Sequence, residues 1–228
     1  KNHKETTKFS HPSSNKNHYF CRMEWFESWF DTPYYHILYN NRDYTEAENF
    51  ITQLTAELQL PKNSEIIDLA CGKGRHSVFL NKLGYKVLGL DLSKKSIEHN
   101  QQFENENLQF KVHDMRDTVA HSKVDAVFNL FTSFGYFDSQ DDDRKVFKSV
   151  SDVLKSDGFF VLDYLNENYV RKTIVSDAEI QRGGIDFTIS KKIEDQHIVK
   201  DIKFSADGQD FNFFEKVKLH TPDSIQKY

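Results

Sequence analysis

The chain has 228 residues, 38% hydrophobic and 29% charged, with a formal net charge of −5. That length fits one large α/β domain with additions, and the net acidity gives no global reason to expect nucleic acid, which is held by clustered Lys and Arg. No apolar run nears the roughly 20 residues that span a bilayer, so the expectation is a cytoplasmic protein acting on a small or polar partner, with neither nucleic acid nor membrane.

Residues 1–22 are rich in Lys, Asn, His and Ser, lack apolar periodicity and are expected to stay mobile. Cys21 and Cys71 lie far apart with no framework spacing, and His3, His11, His18 and His36 show no metal-ligand spacing, which predicts a reducing compartment, no disulfide and no metal. Residues 23–62 bring both tryptophans and several other aromatics in "MEWFESWFDTPYYHILYNNRDY". A helical stripe of Ala47, Phe50, Ile51, Leu54 and Leu58 follows, closed by Pro61.

From residue 63 to 170 short apolar runs alternate with amphipathic segments. Strands are predicted at 66–70, 86–91, 108–112, 124–130 and 158–163, and helices near 75–83, 94–104 and 140–155. Gly84 fits a helix C-cap, and "KSDG" at 155–158 fits a turn. Such alternation predicts a doubly wound, mostly parallel sheet covered on both faces.

Over 171–228 the period changes to two. Ile185, Phe187 and Ile189, then Ile198, Lys200, Ile202 and Phe204, then Phe211, Phe213, Glu215, Val217 and Leu219 predict three antiparallel strands with turns at "EDQ" and "SADGQD". The closing "TPDSIQKY" carries helix-cap chemistry with no helix after it, and suggests a fragment.

The stretch "EIIDLACGKGRHS" runs from an apolar strand through Gly72 and Gly74 into a helix. In open α/β sheets ligands settle beyond the C-terminal strand ends, where glycines admit close approach of the backbone. Asp91 closes the next strand, where a carboxylate can accept both hydroxyls of a ribose. A nucleoside is implied. The dinucleotide fingerprint G-x-G-x-x-G has Ser77 at its third place here, which weakens a pyrophosphate-binding reading.

These residues resemble the class I S-adenosylmethionine-dependent methyltransferases: "IIDLACGKGRHS" is similar to their first motif and "VLGLDLS" to their ribose strand. "FKVHDMRD" is similar to the adenine segment and "VDAVFNLFTSFGYF" to the fourth strand and active-site loop. A closer likeness is to small-molecule N-methyltransferases acting on amino sugars, through Tyr35 and Tyr39 spaced as Y-x-x-x-Y, "DMRD" at 114–117, the F-x-S-x-G-Y loop and an antiparallel insertion. The resemblance implies a Rossmann-like α/β fold with an N-terminal helical lid, an antiparallel sheet inserted after the fifth strand, and S-adenosyl-L-methionine as cofactor. It also implies a last helix and strand pair that this chain lacks after Tyr228.

By the same resemblance Gly72 and Gly74 face the methionine part of the cofactor, Asp68 and Ala70 shape the turn, Asp91 takes the ribose, and Leu92 belongs to the cofactor-binding set. Asp114 and Met115 border adenine, Asn129 and Leu130 hold the methionine end, and Tyr35, Tyr39 and Arg42 belong to the lid. His36 and Tyr136 are the candidate catalytic bases, with His76 and His113 as surface or packing residues. "NLFT" stands where exocyclic-amine methyltransferases carry D/N-P-P-Y, which disfavours base methylation. The expectation is methyl transfer to a small N or O nucleophile by a monomer or homodimer. A protein or RNA methyltransferase, an NAD-dependent oxidoreductase and a non-catalytic cofactor-binding subunit are the alternatives.

Overall fold

A computed structural model describes residues 24–40 and 44–228. The apolar runs of the middle of the chain become β1 (Glu65–Leu69), β2 (Lys86–Asp91), β3 (Leu108–Val112), β4 (Val124–Asn129) and β5 (Leu154–Leu162). All pair in parallel, in the order β3-β2-β1-β4-β5. The chain winds one way from β1 to β3 and the other way from β4, so the crevice beyond β1 and β4 is the topological switch point.

Side chains alternate across this sheet with the period of two that strands impose. Ile66, Val87, Leu108, Ala126 and Phe128 pack on one face against Ile51 of α3 (Tyr44–Glu57), Leu80 of α4 (Arg75–Lys82) and Ile97 of α5 (Lys94–Asn100). Ile67, Leu69, Leu88, Leu90 and Val127 pack on the other against Val146 and Val150 of α6 (Gln140–Val153) and Phe26 of α1 (Trp25–Phe30). Burial on both faces is why these strands read as continuous apolar runs.

A third core lies between α1, α2 (Pro33–Leu38) and a four-stranded antiparallel sheet, where Trp29 and Leu38 pack with Phe187, Ile189, Ile202 and Phe204. That sheet follows α7 (Glu167–Thr173) and runs β6 (Asp177–Arg182), β7 (Ile185–Glu194), β8 (His197–Ala206) and β9 (Gln209–Lys218) in chain order. It is tied at one end to the loop that follows β4, where the Lys218 amide donates to Gly135 O at 2.8 Å. No helix among the described residues is long and apolar enough to cross a membrane.

Three local expectations are corrected. The sheet has four strands rather than three, because β6 turns into β7 through Gly183 and Gly184, both left-handed (φ 55° and 78°). The "KSDG" segment lies inside β5 as a bulge, since the register shifts between Val124↔Leu154 and Ala126↔Phe159. The closing segment does form a one-turn helix, α8 (Pro222–Ile225), on a reciprocal cap between Thr221 and Ser224.

Candidate functional site

The turn after β1 alternates in hand: Ala70, Gly72 and Gly74 have φ of 63°, 53° and 70°. A Cβ on Gly72 would meet nothing within 4 Å, whereas one on Gly74 would come within 2.8 Å of Phe110 Cε1 and 3.1 Å of Asn100 Nδ2. The two glycines therefore serve different ends. Gly72 lines the cavity beyond the strand, while Gly74 lies outside its lining and lets α4 approach the β3 side chain Phe110. Gly74→Ala should cost about 2–4 kcal/mol in a denaturant titration, from left-handed strain plus the clash. Gly72→Ala should cost only about 1–2 kcal/mol, from strain alone. Equal costs would refute the distinction.

Asp91 stands half-buried at the end of β2. Its Oδ2 accepts the Gly72 amide at 2.7 Å and its Oδ1 the Ser93 amide at 2.8 Å. Each carboxylate oxygen thus keeps acceptor capacity after its backbone bond. Burial raises the Asp91 pKa, and the two amide bonds oppose that rise. Leu92 follows it along the wall of the same cavity.

Asp68 is buried, and Ser77 Oγ donates to its Oδ2 at 2.5 Å. Ser77, at the third position of the glycine motif, is therefore spent on holding the carboxylate behind the turn. Burial pushes the Asp68 pKa up to about 6, against the opposing Ser77 bond. The native state then binds the proton more tightly than the unfolded chain, so stability falls as pH rises from about 4 to about 6. Asp68→Asn should raise stability at pH 7.5 by about 1–3 kcal/mol and leave it nearly unchanged at pH 4. Unfolding curves at the two pH values check this; a variant destabilised at pH 7.5 would refute it.

The expected adenine side is partly altered. Asp114 and Met115 line the cavity, but Arg116 occupies the Asp114 carboxylate through Nε at 3.0 and 3.1 Å and Nη2 at 2.6 Å, with the Arg116 amide at 2.9 Å. Burial alone would raise the Asp114 pKa, and Arg116 outweighs it and holds it below the ordinary value. The same guanidinium reaches Glu24 at 2.9 Å and lies over the Phe137 ring. Asp114 is a brace between the lid and the core more than a free acceptor.

Asn129 and Leu130 separate at the end of β4. Leu130 lines the cavity, whereas Asn129 turns back under the sheet, donating Nδ2 to Leu69 O at 3.0 Å. Beyond them Phe131 and Thr132 are both left-handed (φ 58° and 57°), a costly conformation for residues with a Cβ. Asp163 holds it: its Oδ2 accepts the Phe131 amide at 2.9 Å and its carbonyl the Thr132 amide at 3.1 Å. This bend carries Tyr136 to the cavity, where its hydroxyl donates to Thr132 O at 2.7 Å.

From the lid come Trp25, Phe30, Tyr35, His36 and Tyr39, all lining the same cavity of about 590 Å³. Arg42 lies outside the described residues. Burial, with Lys73 and His99 nearby, lowers the His36 pKa to about 4, so its imidazole is neutral at physiological pH and a weak base. His76, also on the cavity wall, stacks on Phe131 at 4.9 Å.

Sequence reasoning missed Glu215. From β9 it reaches the cavity and accepts Trp29 Nε1 at 2.9 Å, Tyr39 OH at 2.7 Å and Lys200 Nζ at 3.2 Å. Two charged residues in otherwise apolar period-two faces, Lys200 and Glu215, were the available signal.

A family model described as a methyltransferase domain matches residues 60–208. The glycine/sarcosine N-methyltransferase of Aphanothece halophytica is 31% identical over 141 residues, 59% of this chain and 51% of the relative. The dTDP-3-amino-3,4,6-trideoxy-alpha-D-glucopyranose N,N-dimethyltransferase of Streptomyces venezuelae is 28% identical over 131 residues, 57% and 54% of the two chains. This chain spans about half the length of the curated relatives it matches. A S-adenosylmethionine-dependent methyltransferase from Clostridium acetobutylicum ATCC 824 superposes with a TM-score of 0.70 at 24% identity, covering 86% of this chain and 82% of that one, a likeness of fold. With the strand order, the switch-point crevice and the glycine turn already in place, the family match makes this chain a member of the methyltransferase domain family, of the class I S-adenosylmethionine-dependent fold.

Proposed function

We propose that this chain binds S-adenosylmethionine against Gly72 and Asp91 and transfers its methyl group to a small acceptor, a nitrogen nucleophile, held under the lid and the antiparallel sheet. The observation that carries the reading is one cavity bounded on one wall by Gly72, Asp91 and Leu92 and on another by the lid aromatics, Tyr136 and Glu215. The nucleoside wall fits the cofactor in two respects. The open space where a Gly72 Cβ would stand admits a ligand against the backbone, and the two Asp91 oxygens retain capacity for a pair of hydroxyls.

When bound, S-adenosylmethionine supplies a methyl on a positively charged sulfonium, so the transfer needs alignment and dryness more than covalent help. Trp25, Phe30 and Tyr136 supply the dry aromatic wall, with Trp25 and Tyr136 centroids 5.3 Å apart and Phe30 and Tyr136 5.5 Å. The Tyr136 hydroxyl donates to Thr132 O at 2.7 Å, which fixes the ring in this wall beside the acceptor side of the cavity. Neutral His36 can orient an acceptor by hydrogen bonding, and its weak basicity argues against a general-base role.

A cavity of this volume suits a metabolite-sized acceptor. Both relatives named above are N-methyltransferases, one named for glycine and sarcosine and the other for an amino sugar nucleotide, which supports nitrogen over oxygen. Calorimetric titration with S-adenosylmethionine and with NAD, followed by labelled methyl transfer to small amines and amino sugars, tests the proposal. Micromolar binding of the first with transfer supports it. Binding of NAD instead would make the site a dinucleotide site, and cofactor binding without transfer to any amine would leave a non-catalytic subunit.

A further inference from the structure

The charged pair on the inner face of the antiparallel sheet has a use beyond holding the lid. Lys200 and Glu215 are direct cross-strand partners on β8 and β9, and their neighbours on that face include Ile202 and Phe213, both part of the core shared with the lid. Their side chains are only 17% and 16% exposed. An ion pair in such a setting contributes little net stability, because desolvation offsets most of its attraction.

Glu215 is the member that reaches the cavity. Trp29 Nε1 and Lys200 Nζ donate to it, and the single Tyr39 hydroxyl is shared between its two oxygens at 2.7 and 2.9 Å, so a ligand ammonium would displace this shared donor to reach the carboxylate. Aromatic rings continue the same surface: Phe30 and Tyr35 centroids are 4.8 Å apart and Tyr35 and Tyr39 4.9 Å. A carboxylate set in an aromatic wall is the chemistry that reads an alkylammonium, through charge-assisted hydrogen bonding and attraction to ring faces. An alcohol of the same shape gains neither.

We propose that Glu215 is the specificity-determining residue for the acceptor, selecting an alkylamine that binds as the ammonium, and loses one proton to solvent before its nitrogen attacks the methyl, over its hydroxyl isostere, with Lys200 moderating that preference by neutralising part of the charge. The inference rests on the cavity being the methyl-transfer site. It goes beyond that reading by naming the group that recognises the acceptor and the sign of its neighbour's effect.

The test uses cyclohexylamine and cyclohexanol as an amine and alcohol of one shape, titrated into the full chain saturated with S-adenosylhomocysteine at pH 7.5. The wild type should prefer the amine at least tenfold. Glu215→Gln should lose the preference, and Lys200→Met should increase it severalfold. A clasp that merely held the lid would make both variants weaken both ligands alike. If Glu215→Gln fails to bind S-adenosylhomocysteine, Lys200→Met decides alone: a lower amine preference than wild type overturns the proposal. Absence of S-adenosylhomocysteine binding by the wild type would defeat the cofactor reading itself; normal binding with no amine preference would defeat only this one.

Discussion

Replacing Asp91 with alanine should weaken S-adenosylmethionine binding by about 100-fold or more. Hydrogen bonds to a charged group contribute about 1.5–3 kcal/mol each, and a ribose would present two hydroxyls to this carboxylate. The substitution also removes the acceptor of the Gly72 and Ser93 amides, so part of the loss comes from a loosened turn. A cycle with a 2′-deoxy analogue of S-adenosylhomocysteine separates the two causes. Direct contact predicts that the variant no longer distinguishes the deoxy from the parent compound. Asp91→Asn keeps one acceptor oxygen and should fall between. Binding by Asp91→Ala within about threefold of wild type would remove the nucleoside assignment.

How far such a site can be read from residues alone is shown by its glycines and its acids. The order β3-β2-β1-β4-β5 and both packing faces follow from alternation within apolar runs, because a strand covered on both sides has to be apolar throughout. Ile66 and Ile67 are equivalent as letters and belong to opposite cores, yet their spacing already assigns them to opposite faces. What spacing could not separate is Gly72 from Gly74. The difference lies in Phe110, far along the chain, whose ring fills the place of one Cβ and not the other.

The acids show the same limit from another side. Asp91 and Asp114 each end a strand region near the cavity, but Arg116 bonds both oxygens of Asp114, while the donors to Asp91 among the described residues are the backbone amides of Gly72 and Ser93. Arg116 stands two residues on in "DMRD", but spacing alone does not say that its guanidinium folds back onto Asp114. Asn129 likewise sits at a ligand-facing strand end by position and is drawn under the sheet by the Leu69 carbonyl. Glu215 was legible as an anomaly in a period-two face, and its meaning depended on Trp29 and Tyr39 arriving from the other end of the chain.

The largest stability effect should come from Asp143, on α6 and fully buried. Lys218 Nζ lies 2.6 Å from its Oδ2, the Tyr228 hydroxyl donates to the same oxygen at 3.1 Å, and His220 Nε2 stands 3.8 Å away. Oδ1 is buried with no hydrogen-bond partner among the described residues, which raises the cost of keeping the carboxylate there. Burial lowers the His220 pKa, against the pull of Asp143, so Lys218 is the principal counter-charge.

Asp143→Ala would leave the Lys218 ammonium, 14% exposed, without its partner, and should cost about 3–5 kcal/mol in denaturant unfolding. Lys218→Met should cost a similar amount by stranding the carboxylate. Asp143→Leu combined with Lys218→Met replaces both charges with apolar groups and should recover most of that loss. A double variant as unstable as the sum of the single losses would show that the pair is not the source. The cluster also fixes function, because the Lys218 amide is bonded to Gly135 O and its carbonyl accepts the Tyr164 hydroxyl. Those bonds fix the end of β9 against the loop that carries Tyr136, three residues from Glu215 along the strand. Loosening them should therefore weaken amine binding before it weakens S-adenosylhomocysteine binding, since Asp91 and the Gly72 turn hang on β1 and β2. Equal losses for the two ligands in Asp143→Ala would mean that the two walls of the cavity do not move separately.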